Sequence, residues 1–307
     1  MIKCTATAAR VILLFSVIFV SASGAVGNDG DDAPPYPWTQ DACHPGEFQT
    51  ELAHFLGAEQ FVDRPLLKLP QTDGGGGGSS VYSHAQAHAD SDRIAARMRM
   101  ILSETIRPGG SSRSDATEDV TRIALAFSLE PRYEHLITRM AINKNAHSIV
   151  ELSKRLRHPH FADLFRIVDP SIVIVDSTTY HLHFSLFEKL LMENKGLRIY
   201  SIDEKTDGLP YLFEHNHDHN DERALYTPST FPLNQEMQLL FTSGSTGIPS
   251  VVSRSFCGLL RESRVSGQYY FTPNDTVLLS EGLSSGWLYN HCILYGASWC
   301  QVFGSSK

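Results

Sequence analysis

Residues 242–247 read Thr-Ser-Gly-Ser-Thr-Gly, between the apolar run Met237–Phe241 and the β-branched pair Val251-Val252. Thr242, Ser243, Ser245 and Thr246 place four hydroxyls within six residues. Gly244 and Gly247 let the backbone enter positive φ and approach a ligand closely. Successive amide N–H groups in such a turn can point into one concavity, which is what a phosphate chain needs. The stretch is not a GxxxxGK[ST] loop, because Ile248-Pro249 stand where lysine and a hydroxyl residue would follow the second glycine. By composition alone the same residues also describe a surface turn.

Two further groupings could carry chemistry. In "EHNHDHNDER" (214–223), His215, His217 and His219 alternate, and Asp218 lies among them. An extended strand would put the three imidazoles on one face, offering nitrogen and oxygen ligands to a metal. No closed ligand set accompanies them, so a polar surface loop is expected and no metal site is assigned. "GLSSG" (282–286) fits G-x-S-x-G, with Ser284 as nucleophile after the strand-like "DTVLLSE". The hydrolase order then needs an acid and a histidine downstream. Only His291 follows, and no Asp or Glu, so a glycine-rich strand-to-helix turn is expected.

The elements that would position the 242–247 loop begin near residue 119. "VTRIALAFS" reads as a buried strand, "EPRYEHLITRMAINKNAHS" as a helix, "IVELS" as a short strand and "HPHFADLFRIV" as a helix. "SIVIVD" is a strand ending at Asp176, "HFSLFEKLLMEN" a helix, "LRIYSI" a strand and "MQLLF" the strand that leads into the loop. This alternation predicts an α/β domain with a parallel sheet and flanking helices, whose ligands would lie at the carboxyl ends of the strands.

Residues 26–118 read as a low-order, linker-rich segment. "DDAPPYPW" disfavours helix, and "QTDGGGGGSS" has the composition of a flexible linker. "EFQTELAHFLGAEQFV" and, more clearly, "ADSDRIAARMRMILSETI" carry helical periodicity, the latter with Asp90 or Ser91 as its cap. The first 25 residues follow the order of a secretory signal. They run from basic Lys3 and Arg10, through the apolar "VILLFSVIFV", to small residues with cleavage expected after Ala25. Residues 11–26 fall short of the about 20 apolar residues of a membrane span, and an uncleaved anchor with membrane association stays open. The expected localisation is the secretory pathway. Outside the signal, Cys43, Cys257, Cys292 and Cys300 are even in number and form no CxxC pair. Two disulfides in an oxidising lumen, or four buried thiols, both fit. Asn274-Asp275-Thr276 is a glycosylation acceptor on the secretory route. A net charge of −8 argues against a nucleic-acid partner, which requires a basic face.

"LLFTSGSTGIPSVV" (239–252) resembles the signature of the adenylate-forming superfamily: AMP-dependent synthetases and ligases such as acyl-CoA synthetases, luciferases and peptide-synthetase adenylation domains. The likeness extends over about residues 119–307, through "VTRIALAFSLEPRYEHLITRMAINKNAHSIVEL", "DPSIVIVD" and "NDTVLLSEGLSSGWLYNHCILYGASWCQVF". It implies that Thr242, Ser243, Gly244, Ser245, Thr246 and Gly247 contact the phosphates of ATP. It also implies Mg2+, a small-molecule carboxylate that attacks the α-phosphate, and CoA as a common acyl acceptor in a complete form. The pattern carries lysine where this chain has Ser250, and continues past the loop with adenine- and ribose-binding segments and a small domain bearing a catalytic lysine. The expectation is therefore an incomplete adenylate-forming N-terminal domain behind a signal-like segment and a flexible region, binding phosphates but catalytically incomplete. An abrupt stop would leave apolar edges such as "WCQVF" unpaired. The alternative is a secreted, non-catalytic protein with a degenerate AMP-binding fold, with metal held by its histidine stretch.

Overall fold

The computed structural model describes residues 65–70, 79–103, 120–128, 132–152, 155, 157, 160–194, 196–214, 234–241, 249–259, 276–279 and 299–302. Two strands, β1 (Pro65–Pro70) and β2 (Ser79–Ser83), precede the helix α1 (His84–Ser103). The α/β alternation follows as β3 (Arg122–Ala126), α2 (Tyr133–Lys144), β4 (Ser148–Glu151), α3 (Phe161–Val168) and β5 (Ile172–Val175). It continues through α4 (Ser177–Leu182), α5 (Phe184–Glu193) and β6 (Arg198–Ser201) to β7 (Glu236–Phe241) and β8 (Val251–Ser255). The strands β9 (Thr276–Leu279) and β10 (Trp299–Val302) come last.

The main sheet has the order β6-β5-β3-β4-β7-β8 and is parallel except for β8, which runs antiparallel to β7. Every residue of β4 and β5 is buried, as expected of parallel strands covered on both faces. Alternate residues feed two cores. Ile123, Leu125, Ile149, Ile172 and Ile174 pack with Leu136, Ile137 and Met140 of α2 and with Ile94 and Met98 of α1. Ala124, Ala126, Val150, Val173 and Val175 pack on the other face with Phe161 and Phe165 of α3 and Phe187 and Leu190 of α5. Met237 and Leu239 share parity along β7 yet belong to opposite cores. The β7–β8 register shifts between Glu236 and Gln238, and the extra residue turns the faces over.

The expected strands and helices from residue 119 to Phe241 are all present, with "HFSLFEKLLMEN" forming the body of α5. The low-order expectation for 26–118 does not hold for residues 65–70 and 79–103. Leu66, Leu67, Ala87, Ile94, Ala95 and Met98 are buried in the first core beside α2. A helical stripe of that size orders its own segment once a second helix covers it. The helix starts at His84, ahead of the expected cap, and the Gln86 N–H donates to Ser83 Oγ at 3.2 Å. Asp90 instead accepts from the Tyr133 hydroxyl at 2.9 Å, tying α1 to α2.

The apolar strand at 299–302 is not an unpaired edge. The second sheet has the order β2-β1-β10-β9, and β10 pairs in parallel with both β1 and β9. No helix among the described residues is long and apolar enough to cross a membrane. Residues 1–25 lie outside the described residues.

Candidate functional site

The carboxyl edge of the main sheet divides into two halves. In the first, β3 and β5 lie side by side, and the helices that follow them cover opposite faces. That topology opens a ligand crevice in doubly wound sheets. Here the protein's own groups lace it together. Asp176, 1% exposed, follows β5. Its Oδ1 accepts the Thr179 N–H at 2.7 Å, capping α4, and its Oδ2 accepts the Ser128 N–H at 2.5 Å from the end of β3. Beyond β6, Asp203 accepts the Ser177 N–H at 2.6 Å and pairs with Arg132 at 2.6 Å. Burial alone would raise the Asp203 carboxyl. The hydrogen bonds from Ser177 and Arg132 and the guanidinium charge outweigh it and hold the carboxyl below its usual value.

His135 completes this half. It is 3% exposed and stacks on Phe127 with ring centroids 4.1 Å apart and planes within 1°. Its Nε2 lies 3.8 Å from Asp176 Oδ2. Burial, followed by the charges of Arg132 and Arg139, pushes the imidazole well below its ordinary 6.5, so it is neutral at pH 7. Neutral, it forms no ion pair with Asp176.

The second half is built by β4, β7 and β8. The Arg139 guanidinium of α2 is 0% exposed and meets Glu151, the last residue of β4, with Nη2 donating to Oε2 at 2.7 Å. Beyond Leu152 the chain turns back, with the Arg155 N–H donating to the Leu152 carbonyl at 2.7 Å. Arg155 Nη2 then donates to the carbonyl of Phe241, the last residue of β7, at 3.0 Å. Phe241 pairs with Val251, so residues 242–250 connect two bonded strand ends at this edge. Thr242, Ser243, Gly244, Ser245, Thr246 and Gly247 themselves lie outside the described residues. On their far side Pro249 is buried and Ser250 is exposed.

His215, His217, His219, Asp218, Ser284, His291 and Asn274 also lie outside the described residues. Among the described residues no group of three or more His, Cys, Asp or Glu could hold a metal ion. Cys257 is disulfide-bonded. The strand ending at Asp176 lies where the sequence predicts it, whereas the Arg155 contact with the end of β7 was not legible. "LSKRLRHPH" is a polar stretch without periodicity, and nothing in it marks one arginine over another.

No protein-family model matches the chain, and no curated protein matches it. Solved structures do. The luciferase-like enzyme of the nonluminescent mealworm Zophobas morio superposes with a TM-score of 0.61 at 17% identity, over 85% of this chain and 54% of that one. An anthranilate CoA ligase, AuaEII, solved with anthranoyl-AMP gives 0.59 at 14% identity, over 83% and 45%. MatB of Rhodopseudomonas palustris gives 0.56 at 16% identity, over 83% and 44%. The chain thus has the fold of adenylate-forming enzymes and spans about half the length of these structures.

Proposed function

We propose that the chain binds the phosphates of ATP through Thr242, Ser243, Gly244, Ser245, Thr246 and Gly247, the binding step of carboxylate adenylation. The observation that supports this reading is the pairing of Phe241 with Val251, the residues that flank the 242–250 stretch, at the carboxyl edge of a sheet that folds like those of adenylate-forming ligases. Donors preorganised there would oppose the charge that moves onto pyrophosphate when a carboxylate attacks the α-phosphate. Magnesium would arrive with the nucleotide, and a thiol such as CoA would be the acyl acceptor. The carboxylate is a small molecule, as the names of the matched CoA ligases suggest.

Ser250 supplies no cation beside the loop. Phosphate binding is accordingly the activity assigned to this chain, and adenylation by the chain alone is expected to be weak or absent. The signal-like residues 1–25 and the Cys257 disulfide support entry into the secretory pathway. Loss of mass on glycosidase treatment of protein from secretory cells, abolished by Asn274→Gln, tests that route.

A ligand that binds only the native state raises stability by about 2.7 kcal/mol at a hundredfold excess over Kd. Thermal melts of the full chain with millimolar Mg-ATP test the main proposal, and an upward shift is expected. No shift with Mg-ATP, together with a clear shift with zinc, would overturn it in favour of the metal-binding alternative.

A further inference from the structure

We propose that His88, Asp92 and Lys144 form an acid-released latch between α1 and α2, closed while His88 is neutral and opened by its protonation. Lys144 is the last residue of α2, and its side chain is 4% exposed. Its Nζ donates to His88 Nδ1 at 2.9 Å, to the His88 carbonyl at 3.0 Å and to Asp92 Oδ1 at 2.6 Å. An ammonium only donates, so Nδ1 is the acceptor and carries no hydrogen. The hydrogen of the neutral imidazole then sits on Nε2, which lies 3.5 Å from Asp92 Oδ2, one turn further along α1. Neutral His88 in this tautomer suits both neighbours. A proton added at Nδ1 sets a second donor and a second positive charge against the Lys144 ammonium, and the hydrogen bond between the helices is lost.

The charges that bear on His88 come from both helices. Asp92 favours the proton, whereas partial burial and then Lys144 oppose it, and the balance holds the imidazole below its ordinary 6.5. The latch is therefore complete above that value and is lost as pH falls. The other titratable groups of these elements have contacts of their own. Asp90 binds Arg93 and the Tyr133 hydroxyl, Tyr82 of β2 stacks on Tyr133, Arg97 pairs with Glu214, and Arg99 donates to Asn145. On α2, Glu134 pairs with Arg132, and His135 and Arg139 face Asp176 and Glu151. His84, one turn before His88, is buried. Burial raises the Tyr133 phenol, so its bond to Asp90 at the start of α2 keeps its hydrogen while the bond at Lys144 is broken. Acid thus frees one side of the α1 contact and spares the other.

Hydrogen exchange of the full chain at pH 7.5 and pH 5, corrected for intrinsic rates, tests the latch in wild type and His88→Asn. Asparagine keeps an acceptor near the position of Nδ1 and takes up no proton. Protection of the wild-type amides at 84–96 should fall about tenfold between the two pH values, relative to those of β5. The same amides of His88→Asn should change by less than about twofold. An equal fall in both proteins, or no fall in wild type, overturns the latch. Where His88→Asn does not melt cooperatively, the nitrogen-15 shifts of wild-type His88 decide. An Nε2–H imidazole at pH 7.5 that titrates with a midpoint below about 6.5 supports the latch. An Nδ1–H imidazole, or a midpoint at or above that value, overturns it.

Discussion

The two halves of the carboxyl edge spend their polar groups differently. At the β3–β5–β6 end, Asp176 and Asp203 accept backbone N–H groups from neighbouring segments, and His135 lies neutral against Phe127. Those carboxylates bind the protein to itself. At the β4–β7–β8 end, a cation binds a strand-terminal carbonyl, and hydroxyl- and glycine-rich residues connect the strands. At the topological switch point, where a doubly wound sheet ordinarily receives its ligand, Asp176 joins the ends of β3 and β5 through backbone hydrogen bonds. The functional reading moves to the strand pair beyond it.

Stability should accordingly depend on the first half and on the buried pair behind the second, whereas nucleotide affinity should depend on the connection. The largest effect is expected at the buried Arg139–Glu151 pair. Arg139→Met leaves a carboxylate buried without its partner and should cost about 4 kcal/mol in denaturant unfolding, with part recovered by adding Glu151→Leu. Next is Asp176→Ala, which orphans the Ser128 and Thr179 N–H groups and removes the α4 cap. A loss of about 3 kcal/mol is expected, with Mg-ATP affinity of the folded protein unchanged. A fall in affinity equal to that of a loop variant would erase the distinction between the halves.

The pH dependence separates them further. His135 is held well below 6.5 and His147 is pushed to about 4 by burial and then by the charge of Arg99. Both are depressed in the fold, so the unfolded chain binds more protons once pH drops below about 6.5. Their contribution is complete above that value and is lost as pH falls toward the folded values, by up to about 1.4 kcal/mol per pH unit per histidine. His135→Gln should flatten the slope of unfolding free energy between pH 6 and 4.5 by about one proton's worth. An unchanged slope would show that His135 does not titrate differently on folding.

Smaller in free energy is Gly244→Val, which denies the backbone its approach to phosphate. Mg-ATP affinity should fall about tenfold or more, while the melt without nucleotide moves by about 0.5 kcal/mol or less. The smallest is Asp203→Asn. The carboxyl is lowered in the fold, so its stabilisation is present above the unfolded carboxylate value and lost as pH falls through the folded one. The variant should cost about 1 kcal/mol at pH 7 and nothing further in acid, since its partner Arg132 is only half-buried.

Much of this architecture is legible from residues alone. "SIVIVD" and "RIALA" announce themselves because strands buried on both faces must be apolar and β-branched at every position. α2 and α3 follow from periodicity. The start of α1 at His84 was not legible, because the cap came from Ser83, at the end of a strand that forms only against β1. The bulge in β7 was equally hidden, since its consequence, Met237 and Leu239 on opposite faces, exists only in the pairing with β8.

By itself the sequence determined the α/β alternation, the phosphate-loop resemblance of Thr242–Gly247 and the absence of a lysine at Ser250. These depend on local composition and order. Tertiary structure alone decided that β10 lies between β1 and β9, that Asp176 accepts the Ser128 N–H beyond β3, and that Arg155 reaches Phe241. Each of those joins residues far apart in the chain through hydrogen bonds whose partners are chosen by sheet register, and no local pattern encodes register.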